Sequence, residues 1–304
     1  MEPGPNGRQA GRLQCPGQGG RVVNDERRDL AIKRILVALD ASPHSLAALQ
    51  TATRLAELFG AELLGVYVED INLLRASELP FSRETRFYSG TQRRFDLGRI
   101  ERQLRQQAQL ARQALTDSAG RSRVRWSFRI SRGTVVSELI AAASEMDLVI
   151  VGKSGWSPIE KRRLGSTARD LLARAPKSAL ILEKGSILQH PLAVVCDGSP
   201  LGQKALQVAA VLAKQEESHL ILLAVAGDPR EATRIREQCS KWLRGRGLMA
   251  RYVTFYEWTA SRVAETLETE GAGGLVVPAT ERVFEHDELV NLLRQTDTPV
   301  LLVR

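Results

Sequence analysis

The stretch Val149-Ile150-Val151-Gly152-Lys153-Ser154-Gly155, followed ten residues later by Gly165-Ser166-Thr167, decides the fold. It begins as a short apolar run of strand length and ends in glycine. The loop that follows contains Trp156, Ser157 and Pro158 and the cations Lys161, Arg162 and Arg163. After Thr167 the apolar residues Ala168, Leu171 and Leu172 return at helical spacing. A parallel strand that ends in glycine and feeds a helix N-terminus suits a phosphate group. Glycine lets the backbone approach the anion, free amides point at it, and the helix dipole favours its charge. The written pattern, G-x2-G-x9-G-S-T, is neither the G-x4-G-K-S/T loop of nucleotide triphosphatases nor the G-x-G-x2-G dinucleotide fingerprint.

Upstream, Ile35-Leu36-Val37-Ala38-Leu39 reads as a buried strand and Asp40-Ala41-Ser42-Pro43 as a sharp turn. Leu46, Leu49, Ala52, Ala56 and Leu58 predict a helix, closed by Gly60 as its C-cap. Residues 61–68 form a second strand. Strand, helix and strand in this order make a right-handed crossover in a parallel sheet. Ligands of such sheets sit beyond the carboxyl ends of the strands, where strand order reverses. Asp40, Val68 and Gly152 all fall at such ends. Taken alone, Asp40 is a turn residue or the partner of a helix cap.

Residues 72–90 read as irregular, either a lid or a plain connection. From Phe95, the residues Leu97, Ile100, Leu104, Ala108, Ala111 and Leu115 form one helical stripe. Val124, Trp126, Phe128 and Ile130 then alternate with Arg123, Arg125 and Arg129 as an edge strand does. Residues 91–132 carry eleven Arg, from Arg93 to Arg132, against three acids, a surplus as large as the +8 net charge of the chain. Such a face fits nucleic acid or an anionic partner. No nucleic-acid motif accompanies it, so a solvated helix face with a charged edge strand is the preferred reading. A strand at 147–152 and another at 178–183 complete a set of five.

The grammar then repeats. Residues 192–200, Leu-Ala-Val-Val-Cys-Asp-Gly-Ser-Pro, echo residues 35–43. Helices and strands follow in the same order to Arg304, with a period of roughly 155 residues.

These features together resemble the universal stress protein family. The resemblance rests on the apolar strand followed by Asp40, a small residue and Ser42, on Val68 after the second strand, and on the G-x2-G-x9-G-S-T loop. It covers nearly everything from Ile32 to Arg304. It implies an α/β fold of two tandem doubly wound domains, each a five-stranded parallel sheet, related to the adenine nucleotide alpha hydrolases. Residues 1–30 are set apart as a disordered, Gly- and Arg-rich tail. Residues 31–186 are the first domain and 187–304 the second. The resemblance further implies ATP as ligand. The binding set it transfers is Asp40, Val68, Val151, Gly152, Lys153, Ser154, Gly155, Gly165, Ser166 and Thr167. Lys153 either adds charge beside the triphosphate, with Lys161, Arg162 and Arg163 folding over it, or these loop cations are simply solvated; the two readings stand level. Asp40 is the one carboxylate placed to meet a magnesium ion. Tyr67 departs from the family's usual His, and Val135 stands where the family commonly has Pro.

The second copy differs where the phosphates would lie. Pro278-Ala279-Thr280-Glu281 replaces Gly152-Lys153-Ser154-Gly155, and His286-Asp287 stand opposite Gly165-Ser166. Proline removes a donor and the acids repel phosphate. One ATP per chain is therefore expected, with Asp197 a relic or a turn residue. The family commonly pairs domains along the fifth strand, so an intrachain pseudo-dimer and a homodimer are both expected.

Composition bounds the function. No apolar run approaches the ~20 residues of a membrane span, and no apolar segment after Met1 suggests secretion. Cys15, Cys196 and Cys239 show neither metal spacing nor even pairing, which fits a cytoplasmic protein. The four histidines, His44, His190, His219 and His286, are scattered. No nucleophile–base pair is defensible from spacing, so no catalytic residue is assigned. The preferred reading is an ATP-binding regulator that acts through an unidentified protein partner. The alternatives are a slow ATPase or self-phosphorylating enzyme, and a basic-surface nucleic-acid binder.

Overall fold

A computed structural model describes residues 32–78, 83–85, 92–94, 97–155, 164–183, 185–281, 283 and 286–304. The expected tail, the loop cations Lys161, Arg162 and Arg163, and much of the expected lid lie outside the described residues. The chain runs β1 (Arg34–Ala38), α1 (Pro43–Phe59), β2 (Glu62–Asp70), α2 (Ile71–Glu78), β3 (Arg83–Thr85), β4 (Gln92–Arg94), α3 (Leu97–Ala119), β5 (Trp126–Gly133), α4 (Val135–Ala143), β6 (Leu148–Gly152), α5 (Ser166–Arg174) and β7 (Ser178–Leu182). It continues β8 (Leu192–Cys196), α6 (Pro200–Gln215), β9 (Leu220–Val225), α7 (Pro229–Arg244), β10 (Ala250–Phe255), α8 (Ala260–Thr269), β11 (Gly274–Pro278), α9 (His286–Gln295) and β12 (Val300–Val303).

Ten strands form one sheet in the order β10-β9-β8-β11-β12-β7-β6-β1-β2-β5. Each half has the same internal order, its third, second, first, fourth and fifth strands side by side. Within the ten-stranded sheet all pairs inside a half are parallel, whereas β7 and β12 pair antiparallel, Leu180 opposite Leu301; β3 and β4 form a separate antiparallel pair. The two fifth strands thus join the halves within one chain. In the first half strand order reverses between β1 and β6, and a crevice opens there beyond the strand ends.

The apolar runs sort onto both faces by simple alternation. Ile35 and Val37 enter one core layer, while Leu36 enters the other. Leu192, Val194 and Cys196 of β8 join the first layer, and Ala193 and Val195 the second. Both layers therefore run through both halves. Helix α1 begins where the sequence places it. Ser42 caps it by accepting from the Ser45 amide at 3.2 Å, Pro43 opens its first turn, and Gly60 ends it at φ 63°.

Two details differ from expectation, and the edge strand is where it was expected. Residues 71–78 are helical rather than irregular. Leu97 and Ile130 stay 39% and 52% exposed. Strand β5 pairs with β2 alone at the end of the sheet, so Trp126 and Phe128 are only partly buried against the core. The basic surface is partly offset in place, with Arg125 3.2 Å from Glu62 and Arg132 2.8 Å from Glu69. Among the described residues no helix is long and apolar enough to cross a membrane.

Candidate functional site

The crevice between β1 and β6 is built from backbone turns. Beyond β1, Asp40 Oδ1 accepts the Ser42 amide at 2.9 Å. This turn needs Ala41 in the left-handed region, at φ 57°. Opposite, Gly155 leaves room for the carboxylate. A Cβ there would lie 3.1 Å from Asp40 Oδ2. Gly152 admits a different neighbour: its Cβ would meet His44 Cβ at 2.8 Å and His44 C at 3.0 Å. That glycine is set by the approach of the first turn of α1 to the end of β6.

The loop after β6 closes on itself. The Lys153 amide donates to Leu182 O at 2.6 Å, and the Gly165 amide to Lys153 O at 2.8 Å. Those two amides are therefore engaged within the chain and are not free for a phosphate. The next helix supplies better donors. Gly165 caps α5 without a side-chain hydrogen bond, and the Arg169 amide makes the bond back to Gly165 O at 3.0 Å. The amides of Ser166, Thr167 and Ala168 precede it and have no acceptor within their helix. Thr134 likewise caps α4 without a side-chain bond.

These two helix starts open on one cavity of about 400 Å³. Asp40, Val68, Val151, Gly152, Lys153, Ser154, Gly155, Gly165, Ser166 and Thr167 all line it, with Val66, Val135 and Leu139 as further apolar wall. The Lys153 side chain is the exception. It is buried and its Nζ turns away from the cavity, 3.0 Å from Glu183 Oε2, 3.0 Å from Thr296 O and 3.5 Å from Asp297 Oδ1. A cation so engaged does not neutralise a ligand in the cavity; it ties β6 to the turn before β12. Tyr67, in the place of the family's His, is buried and donates from its hydroxyl to Gln107 Oε1 at 3.2 Å. Burial, then the charges of Glu69 and Asp40, push its phenol up to about 12.

Two residues absent from the expected set stand beside it. His44 Nε2 lies 3.1 Å from Ser154 Oγ, and His44 Nδ1 lies 3.4 Å from Glu183 Oε1. Sequence spacing holds no signal for this group, since the three residues come from α1, the loop after β6 and the end of β7.

Residues 31–183 match the sequence profile of the Universal stress protein family. The chain belongs to the universal stress protein family. A comparison with curated proteins gives no match. Among solved structures, a universal stress protein from Archaeoglobus fulgidus DSM 4304 is similar at a TM-score of 0.67 and 15% identity. That match covers 89% of this chain and 98% of the other. A functionally unknown protein from Pseudomonas aeruginosa PAO1 is similar at a TM-score of 0.58 and 15% identity, over 92% and 94% of the two chains. At these identities the likeness is one of fold, and it extends through both halves.

In the second universal stress protein half the chain's own side chains bridge the corresponding strand and helix ends. The Ala279 amide donates to Val303 O as Lys153 does to Leu182 O, which sets Thr280 opposite Ser154. Thr280 Oγ1 donates to Asp197 Oδ2 at 2.6 Å, and Asp197 Oδ1 takes the Ser199 amide and hydroxyl at 3.0 and 2.6 Å. Asp197 is thus more than a relic: it ties the end of β8 to the end of β11. Glu288, opposite Thr167, accepts the Ala260 amide at 2.7 Å and so caps α8. A carboxylate of the chain itself occupies the place where the first half leaves helix amides open.

Proposed function

We propose that the first half binds one adenine nucleotide per chain and that the protein acts as a nucleotide-dependent regulator. The observation that carries this reading is the convergence of all ten positions transferred from the family onto one cavity at the β1/β6 switch point. The open amides of Ser166, Thr167 and Ala168, with the hydroxyls of Ser166 and Thr167, suit the phosphates. The end of β2 at Val68 and the apolar wall of Val66, Val151 and Leu139 suit the base and ribose. Among the described residues no group of three or more His, Cys, Asp or Glu side chains converges. A magnesium ion would therefore rest on Asp40 and on the nucleotide's own oxygens.

The second half supports the first as a scaffold. Thr280 and Glu288 bridge its strand and helix ends, and its β12 occupies the β7 edge. Because Lys153 bridges the loop after β6 to Thr296, a ligand that shifts this loop also loads the second half. That surface is where a partner would read the nucleotide state.

The test is nucleotide content and affinity. Purified protein is denatured and the released nucleotide identified; ATP–magnesium is then titrated into stripped protein and into Gly155→Glu. One ATP per chain, lost in Gly155→Glu, is expected. Absence of binding to the wild type overturns the reading.

A further inference from the structure

Ser154, His44 and Glu183 form a relay at the edge of the cavity. Ser154 lines the cavity, and its Oγ lies 3.1 Å from His44 Nε2. His44 Nδ1 is buried with no hydrogen-bond partner, and faces Glu183 Oε1 at 3.4 Å. The other carboxylate oxygen of Glu183 is held by Lys153 Nζ at 3.0 Å, and Lys153 in turn donates to Thr296 O. The His44 and Glu183 side chains are only 13% and 19% exposed, so solvent competes weakly for either.

We propose that His44 and Glu183 activate Ser154 as the nucleophile of an acyl-transfer site, with small activated esters as the substrate class. An ionised carboxylate only accepts, so a His facing Glu183 carries its proton on Nδ1 and leaves the Nε2 lone pair to Ser154. That is the tautomer a general base needs. The 3.4 Å contact is long for a hydrogen bond, as such contacts are before a substrate tightens the site. Lys153 fixes the Glu183 carboxylate from the far side, which makes Glu183 a positioning residue. Gly155 and the open first turn of α5 border the same cavity and supply amides for an oxyanion. Val66, Val68 and Leu139 offer an apolar wall for the acyl group. The neighbouring cation, Lys153, is engaged by Glu183 and Thr296, which favours an acyl carbon over a phosphoryl group as the centre attacked.

The second half is an internal control. Register places Thr280, Leu201 and Arg304 opposite Ser154, His44 and Glu183. It has a hydroxyl but neither base nor carboxylate, and Thr280 bonds to Asp197 instead.

The step balances without an added oxidant or cofactor. Ser154 Oγ bonds to the ester carbon as its proton passes to His44 Nε2. The carbon–alkoxide bond breaks, and His44 returns the proton to the departing alcohol. Water then attacks the acyl-serine, giving its proton to His44; the acid leaves and Ser154 regains its hydrogen.

The experiment treats the full chain with a fluorophosphonate probe and measures hydrolysis of p-nitrophenyl acetate. One adduct per chain is expected, mapped to Ser154 by mass spectrometry and lost in Ser154→Ala. His44→Gln is expected to lower the labelling rate by about 100-fold or more with the melting temperature unchanged. Glu183→Gln is expected to lower kcat with KM unchanged. No adduct on Ser154, or an equal rate in His44→Gln, overturns the proposal. Where His44→Gln fails to fold, Ser154→Cys decides with His44 intact. Iodoacetamide alkylation faster than that of a free thiol supports activation, and a rate no faster overturns it. A nucleotide bound in the same cavity would cover Ser154 and the α5 amides, so labelling and hydrolysis are read on nucleotide-stripped protein; there, this proposal and the nucleotide reading fail separately.

Discussion

The ammonium of Lys153 lies 3.0 Å from the carboxylate of Glu183, across the ends of β6 and β7. Lys153 is 2% exposed and its remaining partners, Thr296 and Asp297, belong to the second half. The side chain that the sequence left between a phosphate contact and a solvated cation is a strut between the halves. Lys153→Met leaves the Glu183 carboxylate without its cation and is expected to cost about 3 kcal/mol in urea unfolding. If the proposed nucleotide site is right, its affinity changes little in the variant, because the ammonium points away from the cavity. A large loss of affinity with unchanged stability would sink this assignment.

Ala41 is a non-glycine residue at φ 57°, and its counterpart Gly198 adopts φ 76°. The turn after the first strand of each half thus demands a left-handed residue, and the first half meets that demand with the wrong side chain. Ala41→Gly is expected to stabilise the protein by about 1 kcal/mol, read as a higher urea midpoint with an unchanged slope.

Tyr67 titrates late. Its phenol is pushed up to about 12 by burial and by the nearby carboxylates. The folded state therefore holds this proton more tightly than the unfolded chain, whose tyrosines ionise near 10. The linked stability is fully present below pH 10 and is lost as pH rises through about 12. Absorbance at high pH should show one late phenol, absent in Tyr67→Phe. Ionisation of all tyrosines near pH 10 in folded protein would contradict this environment.

In the second half Thr280 and Glu288 bridge the strand and helix ends. Thr280→Val removes a 2.6 Å hydrogen bond to the Asp197 carboxylate and is expected to cost about 2 kcal/mol. Glu288→Ala removes the acceptor of the Ala260 amide and is expected to cost about 1 kcal/mol. Neither change should create nucleotide binding in the second half, because Pro278 and Glu281 remain; a second equivalent of bound ATP would show otherwise.

Gly152 separates two readings of one glycine. A Cβ there meets His44 Cβ at 2.8 Å and His44 C at 3.0 Å. Gly152→Ala is expected to push α1 off β6 and destabilise the fold by about 1–3 kcal/mol even without ligand. A neutral effect on stability would return this glycine to the ligand alone.

Much of the fold was legible in the chain itself. The runs at Ile35 and Leu192, each ending in Asp, a small residue, Ser and Pro, mark the start of two equivalent units. Strand runs buried on both faces and separated by helical stripes require a parallel sheet, since only crossovers can connect such strands. The cavity wall was legible for the same reason, because ligand positions in these sheets fall at strand ends that sequence order already marks. Residues 71–78 misled because a short amphipathic helix between irregular stretches has too few turns to establish a period.

Sequence by itself determined the repeated α/β units, the glycines that let backbone approach backbone, and the replacement of Gly152-Lys153-Ser154-Gly155 by Pro278-Ala279-Thr280-Glu281 in the second copy. Each depends on neighbours along the chain or on the nature of one side chain. Only tertiary structure decided where Lys153 points, that Thr280 meets Asp197, and that His44 meets Ser154 and Glu183. Those contacts join residues from separate elements: Lys153 to Thr296 across the β7–β12 junction, and His44 to Ser154 across the β1–β6 crossover. Side-chain direction there is set by burial and by available charge partners, and neither is local in sequence.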